Sequence, residues 1–179
     1  MANDRKVILY IAQSLDGYIA TNEGGIDWLS QVEKPNEDYG YGEFIETVDT
    51  VIMGRKTYEK VLSFGIEFPH KDKKCYVLSR PKTGSDENVE FYNGNVRDLI
   101  SDIQKEEGKN IFIDGGAEAV KACIEEQLID EYVISIIPIL LGDGIKLFQE
   151  TAASSKLTLI EGKTFDTGLV QLKYHKTTN

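Results

Sequence analysis

Two stretches of the chain run from an apolar, strand-like segment into glycine and then into a helical pattern. The first is "VIMGRKTYEKV", residues 51–61, where Gly54 is followed by Arg55, Lys56 and Thr57. A glycine at the end of a buried strand lets a ligand approach the backbone, and the helix that follows offers unpaired N–H groups and a positive dipole end to an anion. Two cations and a hydroxyl would complete a phosphate site. An ordinary strand-to-helix corner, with the same residues serving solvation and capping, is the competing reading. The second stretch is "IFIDGGAEAVKACI", residues 111–124, in which Gly115 and Gly116 leave the backbone bare before Ala117 and Glu118 open a helix. A pyrophosphate fits such a corner, although the G-x-G-x-x-G fingerprint of ordinary dinucleotide sites is absent. A tight turn with positive φ angles would use the same glycines.

Acidic and aromatic residues supply the remaining candidates. "EKPNEDYGYGEFIETVD", residues 33–49, holds several carboxylates ahead of a short helix. One carboxyl sunk among aromatics would have a raised pKa and could donate or relay a proton, and Asp38 and Glu43 are the two worth naming. "SLDGYIATNEGGIDWL", residues 14–29, places an Asp16-Gly17 turn after the first strand and a glycine-bearing loop before Trp28. Loops of this kind close over ligands, and a plain core plug is an equal reading for Trp28.

The elements that must position these residues follow from periodicity. Apolar strand-like runs fall at 6–12, 50–54, 75–79, 89–93, 110–114 and 132–137, several of them apolar on consecutive positions as expected of strands covered on both faces. Between them, Val96, Leu99, Ile100 and Ile103 keep the helical spacing, as do Val120, Ile124 and Leu128. Asn95 and Asp114 read as caps or turn residues before these helices. Near the end, Val170, Leu172 and Tyr174 alternate with polar residues after a turn-rich "EGKTFDTG", which predicts an antiparallel hairpin at an edge. The expected fold is α/β: three α/β/α layers around a mostly parallel central sheet with a C-terminal antiparallel hairpin, in a single domain over 1–179.

Thirty acidic against twenty basic residues leave a formal net charge of -10, so the summed field repels nucleic acid and anionic membranes. A small anion would need cations gathered locally, and Arg55 with Lys56 and Arg80 with Lys82 are such gatherings. Cys75 and Cys123 stand far apart in apolar runs with only His70 and His175 for company; no metal site is expected, and both thiols should be buried. The first apolar run is too short for a signal or a span, so the cytoplasm is the default location.

Taken in order, "SLDGYIA", "IDWL", "VIMGRKTYE", "VLSRP", "IDGGAEAV" and "LIDEYVISIIPILLGDGIKLF" resemble the dihydrofolate reductase-like superfamily over nearly the whole chain, and within it the reductase domain of riboflavin biosynthesis. The resemblance implies NADPH as hydride donor. It implies that Gly54, Arg55, Lys56 and Thr57 hold the cofactor's phosphates and that Ser79 and Arg80 grip the adenosine 2′-phosphate. Gly115, Gly116, Ala117 and Glu118 would form the pyrophosphate and nicotinamide corner, with Ala12 and Ile19 lining the nicotinamide. Asp38 falls on the carboxylate that folate-reducing relatives use for binding and protonation, and Trp28 falls near their active-site tryptophan. The strand position that carries a threonine in those relatives falls on Ile134, which implies a substrate other than folate. The implied activity is NADPH-dependent reduction of a pyrimidine or pterin-like heterocycle, of the 5-amino-6-(5-phosphoribosylamino)uracil reductase type. The alternatives are dihydrofolate reductase activity and a non-catalytic NADPH-binding module. A homodimer is expected, formed through "YVISIIPILLG" or the final hairpin.

Overall fold

The computed structural model describes residues 4–178. Strands β1 (Val7–Ser14), β3 (Val48–Gly54), β4 (Lys74–Leu78), β6 (Glu90–Tyr92), β7 (Asn110–Gly115) and β8 (Glu131–Ile137) all lie parallel to their neighbours where they pair with one another. The sheet formed by the described residues has the order β10-β11-β8-β1-β7-β3-β4-β6-β5, in which β10 (Leu157–Thr164), β11 (Val170–Lys176) and the short β5 (Gly84–Ser85) supply the antiparallel pairs. A separate two-stranded ribbon joins β2 (Tyr18–Ala20) to β9 (Ile145–Lys146). The expected mostly parallel sheet with an antiparallel hairpin at its edge is therefore present.

Side-chain alternation divides the core. One face carries Val7, Leu9, Ile52, Ile111, Ile113 and Ile134 under helices α3 (Val96–Lys105) and α4 (Ala117–Glu125). The other carries Val51, Met53, Val77 and Phe112 under α1 (Tyr41–Glu46) and α2 (Arg55–Ser63). Because successive strand residues point to opposite faces, the apolar run "VIM" feeds both layers at once, and consecutive apolar residues follow directly from two-sided cover. Asn95 does cap α3, its side chain accepting from the Arg97 N–H at 2.7 Å. Both cysteines are buried and free, and burial pushes each thiol up to about 12. Among the described residues, no helix is long and apolar enough to cross a membrane.

Three local expectations change. Asp114 is a strand residue of β7, and Gly116 takes the capping position before α4. Leu128 lies beyond the end of α4, while β10 runs through "EGKT" to Thr164, so the hairpin turn is confined to 165–169. Propensity marks the glycine as a turn, but the ladder to β11, with Gly162 opposite Leu172, carries the strand through it.

At the opposite end of the strands from the glycine corners, Arg5 is buried and donates to Thr50 Oγ1 (2.9 Å) and to the carbonyls of Lys109 (2.7 Å) and Ile103 (3.1 Å), with Asp49 as its ion partner. A buried guanidinium so fully paired ties β3, α3 and the start of β7 together. An Asn95→Ala substitution should lower unfolding free energy by about 1 kcal/mol in urea, with an unchanged slope. An unchanged midpoint would show that the cap adds nothing.

Candidate functional site

β3 and β7 pair with Met53 opposite Gly115, and this register brings the two glycine corners side by side. A Cβ placed on Gly54 would lie 3.6 Å from the Gly116 nitrogen, and one on Gly116 would lie 3.1 Å from Thr57 Oγ1. Gly115 has φ +104° and faces Ile11 Cδ1 at 3.3 Å from the position of a Cβ, so only glycine sits there without strain. The peptide bond joining Gly115 to Gly116 is cis. Helices α2 and α4 start immediately after Gly54 and Gly116, and neither residue supplies a side-chain cap. Two sets of first-turn N–H groups, with their positive dipole ends, thus meet at one edge of the sheet, where the two glycine corners pack against each other.

The charged residues around this edge are partly committed. Arg55 Nη1 donates to Glu59 Oε1 at 2.7 Å along α2, while Lys56 is exposed with no hydrogen bond or ion pair among the described residues. Glu118 is exposed on the first turn of α4. Leu78 pairs with Gly54, so Ser79 and Arg80 leave β4 at the same edge. Ser79 is buried, and its hydroxyl accepts from the Lys82 N–H at 3.2 Å, which assigns it to holding the turn. Arg80 is exposed and free of partners among the described residues, and Lys82 Nζ lies 5.4 Å from the centre of the Phe91 ring. The cations, more than the serine hydroxyl, are what this segment offers an anion.

The loop after β1 is clipped to the loop after β8. Asp16 accepts from the N–H groups of Leu141 (3.1 Å) and Gly142 (2.8 Å) and from Ser14 Oγ (2.6 Å). Its carboxyl is held below the usual range, chiefly by the Ser14 hydroxyl and then by these backbone donors. This explains why "SLDG" and "LLGDG" occur together. Ala12 packs with Trp28, Val32, Ile137 and Leu169 in a small cluster, whereas Ile19 packs against the main core. Trp28 is half-buried, and its Nε1 is buried without a partner.

On the α1 face, polar groups gather in the middle of the sheet. The two N–H donors of Gln171 Nε2 are shared among three acceptors within reach, Ser135 Oγ (3.1 Å), the Tyr10 hydroxyl (3.2 Å) and the Tyr39 carbonyl (3.1 Å); the Tyr10 hydroxyl donates to that same carbonyl at 2.9 Å. Phe44 stacks on Tyr10 at 4.5 Å and meets Phe112 edge-on at 5.1 Å. Burial raises the pKa of the Tyr10 phenol, with the Asp38 charge adding to it against the Gln171 hydrogen bond. Tyr41 is pushed up to about 12 by burial and then by the Asp114 charge, so its hydroxyl stays protonated. Asp114 shares this face with Phe112, and His70 Nε2 reaches its Oδ2 at 3.3 Å.

Two readings of the sequence shift here. Ile134 points into the α3/α4 core, and the β8 residue on the α1 face is Ser135, a hydroxyl; one step along a strand exchanges faces, so Ile134 no longer argues against folate. Asp38 is exposed and accepts from the N–H groups of Gly40 (2.9 Å) and Gly42 (3.0 Å), which together hold its carboxyl below the usual range. That is the environment of a helix-start anion, opposite in sign to what a proton donor requires. Glu43 is exposed in the first turn of α1. Asp114 was legible only as a cap, and the pairing with His70, across 44 positions, left no local signal.

The sequence profile of the RibD C-terminal domain matches residues 5–171. The protein YwjB of Bacillus subtilis (strain 168) is 47% identical over 172 residues, covering 96% of this chain and 98% of its own. Among solved structures, a candidate riboflavin biosynthesis protein from Shewanella sp. PV-4 superposes with a TM-score of 0.89 at 38% identity, over 97% of this chain and 99% of that one. Dihydrofolate reductase from Enterococcus faecalis, complexed with NADP(H), shares the fold with a TM-score of 0.71 at 20% identity over 97% of both chains.

Asp16→Ala should speed hydrogen exchange at the Leu141 and Gly142 amides; unaltered protection would remove the clip from the account. For Asp38 the folded pKa is depressed, so its stabilisation is present above the ordinary carboxylate range and is lost as pH falls through the folded value. The melting-temperature gap between wild type and Asp38→Ala should therefore be open at neutral pH and close on acidification, and a gap independent of pH would contradict the assignment.

Proposed function

This chain belongs to the RibD C-terminal domain family, and on that premise we propose that it is an NADPH-dependent reductase of a pyrimidine or pterin-like heterocycle, of the 5-amino-6-(5-phosphoribosylamino)uracil reductase type. The observation that carries this reading is the paired glycine corner, where two helix starts without side-chain caps meet at one edge of the sheet. In a chain with a net charge of -10, that corner and the Arg55, Lys56, Arg80 and Lys82 cations beside it form a local reversal of field suited to phosphates. The donor set fits the cofactor. Thr57 and the first-turn N–H groups of α2 and α4 would hold its pyrophosphate, and Arg80 with Lys82 would hold the adenosine 2′-phosphate.

When bound, the dihydronicotinamide supplies a hydride to an electrophilic C=N or C=O carbon of the heterocycle, and a proton completes the reduction. The protein's own residues orient the partners and exclude water. Ala12 and the Gly115-Gly116 backbone give the reduced ring a side-chain-poor wall. Asp114, at the end of β7 and 25% exposed, is the carboxylate placed to accept N–H donors from the substrate edge. Tyr41, kept protonated, presents a hydroxyl near it. Asp38, with its lowered proton affinity, shapes the start of α1 and leaves protonation to other groups and to water entering at this rim.

We also propose a homodimer. β8 is covered by β1 and β11, so the part of the run up to Ile137 is consumed inside the sheet, whereas Leu140 beyond it is 69% exposed. The outermost strand β10 gathers three exposed apolar residues, Leu157, Leu159 and Ile160, which are 41%, 55% and 48% exposed beside an unpaired strand edge.

Titration with NADPH and NADH, followed by quenching of Trp28 fluorescence, should show selective NADPH binding. Arg80→Ala should weaken it by about tenfold, as expected for loss of one charge-assisted contact. Absence of binding by either nucleotide would end the phosphate reading. Light scattering should return a mass near twice the chain's 20.1 kDa, and a mass near 20.1 kDa would refute the dimer.

A further inference from the structure

His70 lies between α2 and β4, and its immediate surroundings do not call for an imidazole. Its side chain is 4% exposed and sits edge-on to Phe68 at 5.8 Å and to Phe112 at 6.0 Å. Nδ1 is buried and makes no hydrogen bond. A phenyl ring or an aliphatic chain would fill this wall without stranding a polar atom. The contact that uses the chemistry of the ring is the one from Nε2 to Asp114 Oδ2, at 3.3 Å. With Nδ1 unpartnered, a proton on Nε2 leaves a bare acceptor in the apolar wall rather than an orphaned N–H, and it makes Nε2 the donor.

We propose that His70 is a positioning residue for Asp114: Nε2–H holds Oδ2 and so leaves Oδ1 to receive the N–H donors of the heterocycle. Oδ1 makes no hydrogen bond among the described residues and is free to do so. The histidine is itself fixed, because its carbonyl accepts from the Lys73 N–H at 2.9 Å and from Cys75 Sγ at 3.4 Å. A carboxylate with one oxygen pinned loses rotamer freedom before the substrate arrives, which reduces the ordering cost of binding. The role rests on the reading of Asp114 given under the proposed function. The contact itself stands independently of it.

Two measurements separate these levels. Long-range proton–nitrogen spectra of the free protein should show a His70 proton on Nε2, and Asp114→Ala should shift that signal. A ring protonated only on Nδ1, or one indifferent to Asp114→Ala, would overturn the proposal whatever the protein reduces. Kinetics with 5-amino-6-(5-phosphoribosylamino)uracil and NADPH should then show that His70→Phe, melting no lower than wild type, raises KM about tenfold with NADPH affinity unchanged. His70→Gln, which keeps an N–H donor, should recover most of the loss. An unchanged KM in His70→Phe, or a loss that tracks melting temperature and is not recovered by His70→Gln, would refute the positioning role. If the expected spectra are found but wild type reduces no heterocycle, the reductase reading falls while the contact remains.

Discussion

The pairing of β3 with β7 is the constraint on which the site depends. Met53 opposite Gly115 fixes where both strands end, and hence where α2 and α4 begin. Because the strands are parallel, their carboxyl ends share one edge, and each helix that follows presents its amino-terminal N–H groups there. A shift of one residue in this ladder would separate Gly54 from Gly116 and place side chains where the two glycine corners now pack together. The cradle is thus a property of sheet register before it is a property of any motif.

Around that edge, the fold spends polar groups on holding loops still. Asp16 clips the loop after β1 to the loop after β8, Ser79 closes the turn after β4, and Asp38 binds the backbone that starts α1. Each is a conspicuous polar residue in the sequence, and each is engaged by backbone N–H groups in the structure. The positive groups left uncommitted are the Lys56 and Arg80 side chains and the first-turn N–H groups of two helices, with Glu118 the exposed carboxylate among them. The gathering of these positive groups at one edge of an acidic chain is an electrostatic argument independent of family membership.

On the α1 face the arrangement is different in kind. Tyr10, Ser135 and Gln171 form a satisfied network among aromatics, which fixes the sheet face beneath α1. Asp114 stands at the end of that face with one oxygen engaged by a histidine that gains nothing else from being polar. A core tolerates an unpartnered nitrogen of this kind only where it is offset by something other than packing.

The sequence by itself determined the elements, since periods of two and of 3.6 are written in local spacing: the six strand runs, α3 with its Asn95 cap, and the two glycine corners could all be read directly. It also determined that cations would have to be gathered locally, because composition sets net charge. Tertiary structure alone decided that the two corners are neighbours and that Ser135 rather than Ile134 faces α1. It decided as well that Asp114 meets His70 and that the serine of "VLSRP" is bound to its own turn. These depend on strand order, on the parity of each residue within its strand and on contacts between segments far apart in sequence. Local periodicity reports which residues share a face, but the partner across that face is set only when the sheet is assembled.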